Sequence, residues 1–260
     1  MRPLVMGVLN VTPDSFSDGG KFLDPEAAIA HGLRLALEGA DVIDVGGEST
    51  RPGATPVSAE VEAARIVPVI AALAPSVRVS VDTRHASVAA AAIDAGATLI
   101  NDISASLWPL AAERGVGWVA MHMRGTPATM RDEIDYDDVV AEVATFLADR
   151  AATARAAGVS EIWIDPGIGF AKTGAHNLSL LANLRTLVDL GHPVVVGTSR
   201  KSFLGALLGG APVDDRLEGS LATAVWAMSQ GAAMVRVHDV APTVQAARLV
   251  AEPVEEAMAS

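Results

Sequence analysis

Short apolar runs alternate along this chain with longer stretches whose apolar positions recur every three to four residues. The runs VMGVLNV, ADVIDVGG, VRVSVD, ATLIND, WVAMH, EIWID, PVVVGTS and AAMVRVH are apolar on both faces. They predict buried strands near 4–10, 41–46, 77–82, 98–102, 117–122, 161–165, 193–197 and 233–238. Amphipathic helices fall between them, the longest near 136–157. The first helix opens at Asp24-Pro25-Glu26, with a capping carboxylate and a proline in the first turn, and Gly39 ends it. The same cadence of helix-ending glycine, short turn and apolar run recurs at Gly96, Gly115, Gly158, Gly191 and Gly231.

Uninterrupted strand–helix alternation implies a parallel sheet. Eight such units in about 250 residues fit a closed (β/α)8 TIM barrel better than an open doubly wound sheet. No Pro- or Ser-rich linker divides the chain, so 1–260 is read as a single domain. Barrel enzymes carry their chemistry on the loops after the strands. Two of those loops, at 11–23 and 47–58, are long enough to act as lids or binding loops.

Charge narrows the partner. A formal charge of −12 over 260 residues opposes nucleic acid and anionic membranes, which leaves a small molecule reached through local positive spots. The only lysines, Lys21, Lys172 and Lys201, all follow apolar runs. No run of about 18 uncharged apolar residues is present. The N-terminus resembles a signal peptide superficially but has no cleavage site and reads as the first strand. With no cysteine, disulfides and thiolate metal sites are excluded, and a cytoplasmic location is the default expectation.

Most of the apolar runs break off at a residue with chemistry to offer. Asp82, Asn101 and Asp165 would ring the barrel mouth with acceptors and one amide, a match for a planar heterocycle with an amidine-like edge. Each alone reads equally well as a helix cap or an arginine partner, as with Asp82 beside Thr83-Arg84. Lys201, Arg236 and His238 come from the ends of strands 7 and 8, a frequent phosphate quadrant of such barrels. GTSRKSFLG also opens a helix, whose first amides favour an anion. Asn10, on the neighbouring strand 1, can share that anion or ligate an accompanying Mg2+. In the glycine-rich DPGIGFAKT, Phe170 can stack on a flat ligand or simply fill a tight turn. Met121 reads as core, Asp18 and Glu48 as loop ion-pair partners or site residues, and His122 stays unassigned.

The strings NVTPDSFSDGG, GGESTRPGA, SVDT, NDIS, MHMRGTP, DPGIGFAKT, GTSRKSFLG and RVHDV, in this order along nearly the whole chain, resemble the dihydropteroate synthase family. The resemblance implies a barrel transferase of folate biosynthesis. Such an enzyme joins (7,8-dihydropterin-6-yl)methyl diphosphate to 4-aminobenzoate, releases pyrophosphate, requires Mg2+ and is a sulfonamide target. It implies a pterin site of Asp82, Asn101, Ile103, Met121, Asp165, Phe170, Gly197 and Lys201. Asn10, Thr50, Arg51, Arg236 and His238 would hold the diphosphate, Asn10 also binding the metal. Phe16, Thr50, Pro52, Lys201 and Ser202 would line the aminobenzoate pocket, and Asp18, Asp82 and Lys201 would be catalytic. A homodimer is the family's common state.

The chain departs from the family at Ala105-Ser106, where glycine is usual, and in a shortened stretch before PLAAERG, so the fourth helix should start differently. Ala171 also replaces a glycine, a change tolerated if its φ is negative. A pterin-dependent methyltransferase would share the barrel, but it has no use for the RPGA and SRK strings, and no corrinoid-binding region is present. A Schiff-base aldolase built on Lys201 is a weaker rival, and a non-catalytic pterin-binding paralogue is the non-enzymatic alternative.

Overall fold

The computed structural model describes residues 2–12, 25–49, 56–130, 132 and 134–251. Its eight strands are β1 (Leu4–Asn10), β2 (Val42–Gly46), β3 (Arg78–Asp82), β4 (Leu99–Asp102), β5 (Gly117–Met121), β6 (Ile162–Asp165), β7 (Val195–Val196) and β8 (Met234–Val237). Helices α1 (Pro25–Leu37), α2 (Ala59–Leu73), α3 (Ala86–Asp94), α4 (Trp108–Arg114) and α5 (Val139–Ala156) alternate with the first six strands. After β6 come α6 (Gly174–Ala182) and α7 (Leu184–Val188), then α8 (Ser202–Leu207), α9 (Leu217–Ser229) and α10 (Val240–Ala251). None of the described helices is long and apolar enough to cross a membrane.

All ladders are parallel, in the order β6-β5-β4-β3-β2-β1-β8-β7. The two outer strands meet through one bridge, Ile164 to Val194, and the Ile164 N–H donates to the Pro193 carbonyl at 3.1 Å. The expected TIM barrel is therefore the fold, closed at a thin seam. Strand β7 is shorter than the run PVVVG suggests, because Pro193 has no amide to give the ladder.

The alternation of side chains along each strand sorts the interior into layers. Met6, Val42, Leu99, Val119, Trp163, Val195 and Met234, one from each strand except β3, form an apolar cluster inside the barrel. A second, larger cluster joins the outer faces of the strands to the helices. Below the inner cluster, Arg78 Nη2 donates to both Glu161 oxygens at 2.7 and 2.9 Å, and the Trp163 indole donates to the same carboxylate at 2.7 Å. That trio plugs the bottom of the barrel. Two residues further along each strand lies the mouth layer, where Asp44, Asp82, Asn101, Met121, Asp165, Gly197 and Arg236 share the inward parity.

All six helix-ending glycines named from sequence have positive φ, from 65° to 111°, so each stops its helix in the left-handed conformation. The shortened stretch after β4 is organised by Asp102, which is fully buried. Its carboxylate accepts from the amides of Ser104, Ser106 and Leu107 at 2.6–2.9 Å, and from the Ser104 hydroxyl and the Trp118 indole at 2.5 and 3.0 Å. This cage holds Ala105 at φ 49°, where a glycine would be unstrained, and lets α4 begin at Trp108.

Replacing Asp102 by alanine strands the indole and the turn amides without acceptors. It should lower stability by about 3–5 kcal/mol in urea unfolding. A loss below about 1 kcal/mol would show that the cage does not set this turn.

Candidate active site

The mouth layer is charged in spite of its burial. Arg236, from β8, donates through Nε to Asp44 Oδ2 at 2.6 Å and through Nη2 to Asp82 Oδ2 at 2.8 Å. The Asn101 amide donates to the same Asp44 oxygen at 2.9 Å. Asp82 thus pairs with Arg236, across β1 and β2, and not with the adjacent Arg84, which forks onto Glu48 at 3.1 and 3.2 Å. Burial pushes the Asp82 carboxyl up, Arg236 pulls it down, and the Asp44 charge pushes it up again; the balance lies above the ordinary range. Burial draws Arg236 down, but Asp44 and Asp82 outweigh it and hold the guanidinium charged.

Asp165 closes β6 and accepts from the Gly167 amide at 2.7 Å. Its carboxyl is raised by burial against that hydrogen bond and the nearby cations. Lys201, the residue before α8, lies 4.0 Å over the Phe170 ring. Burial and then Arg236 lower its ammonium to about 8, while Asp165 and Asp82 resist. The glycine-rich loop therefore folds back so that Phe170 and Lys201 form one wall beside Asp165. Gly197 borders Arg236, since a Cβ there would stand 3.6 Å from the Arg236 Cβ.

His238 sits against Ser199, with Nδ1 3.0 Å from the hydroxyl, which also accepts from the His238 amide at 3.1 Å. Burial, then Arg236 and Arg200, lower its imidazole to about 3, so it meets a ligand neutral. Arg200 turns away to Asp239 at 2.7 Å, leaving Lys201 as the cation of SRK that faces the mouth. Asn10 ends β1 in register with Gly46, Ile103 is buried just past β4, and Ser202 opens α8. Phe16, Asp18, Thr50, Arg51 and Pro52 lie outside the described residues.

Two residues escaped the reading by strand ends. Asp44 stands in mid-strand, and its signal was a carboxylate inside VIDVG at the parity of the mouth. Lys172 is the other. Its ammonium reaches the carbonyls of His122, Gly167 and Phe170 at 3.0–3.3 Å and His122 Nδ1 at 3.0 Å. This fixes the role of His122: it accepts from Lys172 and ties the end of β5 to the loop after β6. Burial and then the Lys172 charge lower the His122 imidazole to about 3. Beside it, Ala171 has φ 48°, which overturns the condition set for its tolerance. The Lys172 lattice holds the residue in a left-handed conformation that glycine would adopt freely.

Asp44 Oδ1, Ser80 Oγ and Asp82 Oδ1 are buried without hydrogen-bond partners. Such orphans at a barrel mouth mark places where a ligand's donors complete the network.

The family model for pterin-binding enzymes matches residues 6–238. The dihydropteroate synthase of Mycobacterium leprae is 49% identical over 260 residues, covering 95% of this chain and 92% of its own. A structure of Xanthomonas albilineans dihydropteroate synthase with 4-aminobenzoic acid superposes with TM-score 0.90 at 48% identity, covering 100% of this chain and 94% of that one. A Xanthomonas albilineans dihydropteroate synthase in complex with 7,8-dihydropteroate gives TM-score 0.87 at 44% identity, again over 100% and 94% of the two chains.

His122 supplies a pH test. Its folded value near 3 lies below the unfolded value near 6.5, so the unfolded chain binds the extra proton in this window. The stability tied to neutral His122 is complete above about 6.5 and is lost as pH falls. Between pH 6.5 and 4.5 the wild type should lose about 2–3 kcal/mol more than His122→Gln in denaturant unfolding. Parallel pH profiles for the two chains would contradict this.

Proposed function

Because the chain belongs to the dihydropteroate synthases of the pterin-binding enzyme family, we propose that its barrel mouth joins a dihydropterin-methyl diphosphate to 4-aminobenzoate. It is a transferase of folate biosynthesis. The observation that carries the assignment of roles is the mouth layer itself. A buried set of unsatisfied carboxylate oxygens at the inward parity suits the amidine edge of a pterin and little else of that size.

On this reading Asp82, Asn101 and Asp165 take the ring's donors and fix its orientation. Asp82 Oδ1, without a partner in the free protein, then gains a donor, and a ring donor at Asp165 adds to the Gly167 amide. Lys201 and Phe170 flank the ring, and Met121, Ile103 and Gly197 complete the slot. Arg236 has committed one Nε and one Nη hydrogen to carboxylates, so three of its five N–H groups stay available to a diphosphate. Neutral His238 can donate one more hydrogen bond. Loss of pyrophosphate leaves a delocalised pterin-methyl cation, and the mouth carboxylates stabilise it while the arylamine attacks.

Asn10 offers a hard amide oxygen at the end of β1, beside β8, which fits Mg2+ held by one protein oxygen together with diphosphate oxygens. When bound, the ion neutralises charge on the leaving group. A homodimer is the expected assembly; the exposed Leu207, Leu208, Val213, Leu217 and Trp226 after β7 and on α9 support an apolar contact there.

With the pterin diphosphate, 4-aminobenzoate and Mg2+, the purified chain should release pyrophosphate only when all three are present. Release indifferent to 4-aminobenzoate, or none, refutes the assignment. Asp165→Ala and Lys201→Ala should each weaken pterin binding about 10–100-fold in calorimetry while the circular dichroism of the fold is retained. Unfolded variants would return both residues to a purely structural role.

A further inference from the structure

Buried polar atoms without hydrogen-bond partners gather in two places among the described residues. The first is the barrel mouth. The second lies beside it, where both Glu62 oxygens and His85 Nε2 are orphaned. Glu62 stands in the first turn of α2 and its side chain is 0% exposed. His85 is the residue before α3, and Glu48 follows β2. His85 Nε2 is 4.0 Å from Glu48 Oε2 and 4.0 Å from Glu62 Oε2. One ligand atom from each of the three residues falls within 4.8 Å of the other two.

These separations are too long for hydrogen bonds and slightly wider than a bound metal requires. An ion about 2.0–2.2 Å from each of three ligands holds them roughly 3–4 Å apart. A small rotation of flexible glutamate side chains closes the difference. Burial pushes the Glu62 carboxyl up to about 7 against the Thr83 hydroxyl and the more distant Arg84 and Arg65 charges, yet both of its oxygens stay without a well-formed hydrogen bond, a state native interiors rarely leave without compensation. Arg84 does not occupy the place. Its fork engages Glu48, but each carboxylate oxygen keeps a second lone pair, and Glu62 receives no hydrogen bond from it.

We propose that Glu48, Glu62 and His85 form a binding site for one divalent transition ion. Two carboxylates and an imidazole suit Zn2+ or Mn2+ better than Mg2+, which prefers an all-oxygen set and its own waters. The three ligands come from the loop after β2 and from the starts of α2 and α3, and Asn10 is not among them. Glu48 also accepts from the Val57 amide at 3.3 Å, so the ion would fasten both described ends of the long loop after β2 to α2 and α3. Its role is structural: it braces the loop root without touching the substrates.

The chain, stripped with a chelator and free of substrates, is titrated with Zn2+ or Mn2+ by calorimetry, with thermal unfolding in parallel. One ion per chain should bind and raise Tm, while Mg2+ binds at least about 10-fold more weakly. His85→Ala and Glu62→Gln should each lose at least about 10-fold in affinity. Should Glu62→Gln fail to fold, His85→Ala, whose side chain is 28% exposed at the head of α3, decides alone. No ion bound by the wild type, or equal binding by His85→Ala, overturns the proposal.

Discussion

A guanidinium between two carboxylates holds the top of this barrel together. Arg236 reaches from β8 past β1 to Asp44 on β2 and Asp82 on β3, and Asn101 on β4 joins through the same Asp44 oxygen. An apolar layer would pack the interior at lower electrostatic cost, because burying ions is only offset when every charge is paired. Here the pairing is incomplete: one oxygen each of Asp44 and Asp82 has no hydrogen-bond partner. The charge of Arg236 also sets its neighbours. It is a named cause of the lowered Lys201 ammonium and of the lowered His238 imidazole.

Much of this was readable from the chain. Strands buried on both faces give unbroken apolar runs, helix-ending glycines punctuate them, and polar residues at their ends stand out against that background. Asp82, Asn101 and Asp165 were visible for that reason, and the structure places all three in one layer. Asp44 was less visible because it interrupts a run instead of ending it; parity along the strand, not position at its end, is the better index. Lys172 could not be placed from sequence. Its acceptors come from the end of β5 and from its own loop, and only the closed barrel brings them together.

Two alanines in the mouth loops share a physical form. Ala105 and Ala171 both occupy left-handed backbone that glycine adopts without strain, and each is held by a dense polar cage: Asp102 in one case, Lys172 in the other. A condition on φ, taken from the residue alone, fails when surrounding hydrogen bonds dictate the backbone. The loop after β6 makes the same point. Gly167 approaches the His122 carbonyl so closely that a Cβ would stand 1.9 Å from its oxygen, so the loop has no room to vary there.

The thin seam between β6 and β7 gives the barrel an unequal stiffness. Other neighbouring strands share two to five registered pairs, whereas this junction has one bridge. Asp165 stands on one bank of it, Gly197 and Lys201 on the other. The part of the mouth between these residues is therefore the part of the circumference that can widen without unzipping a ladder. A strain applied to the mouth concentrates at this joint, where one bridge stands in place of a ladder.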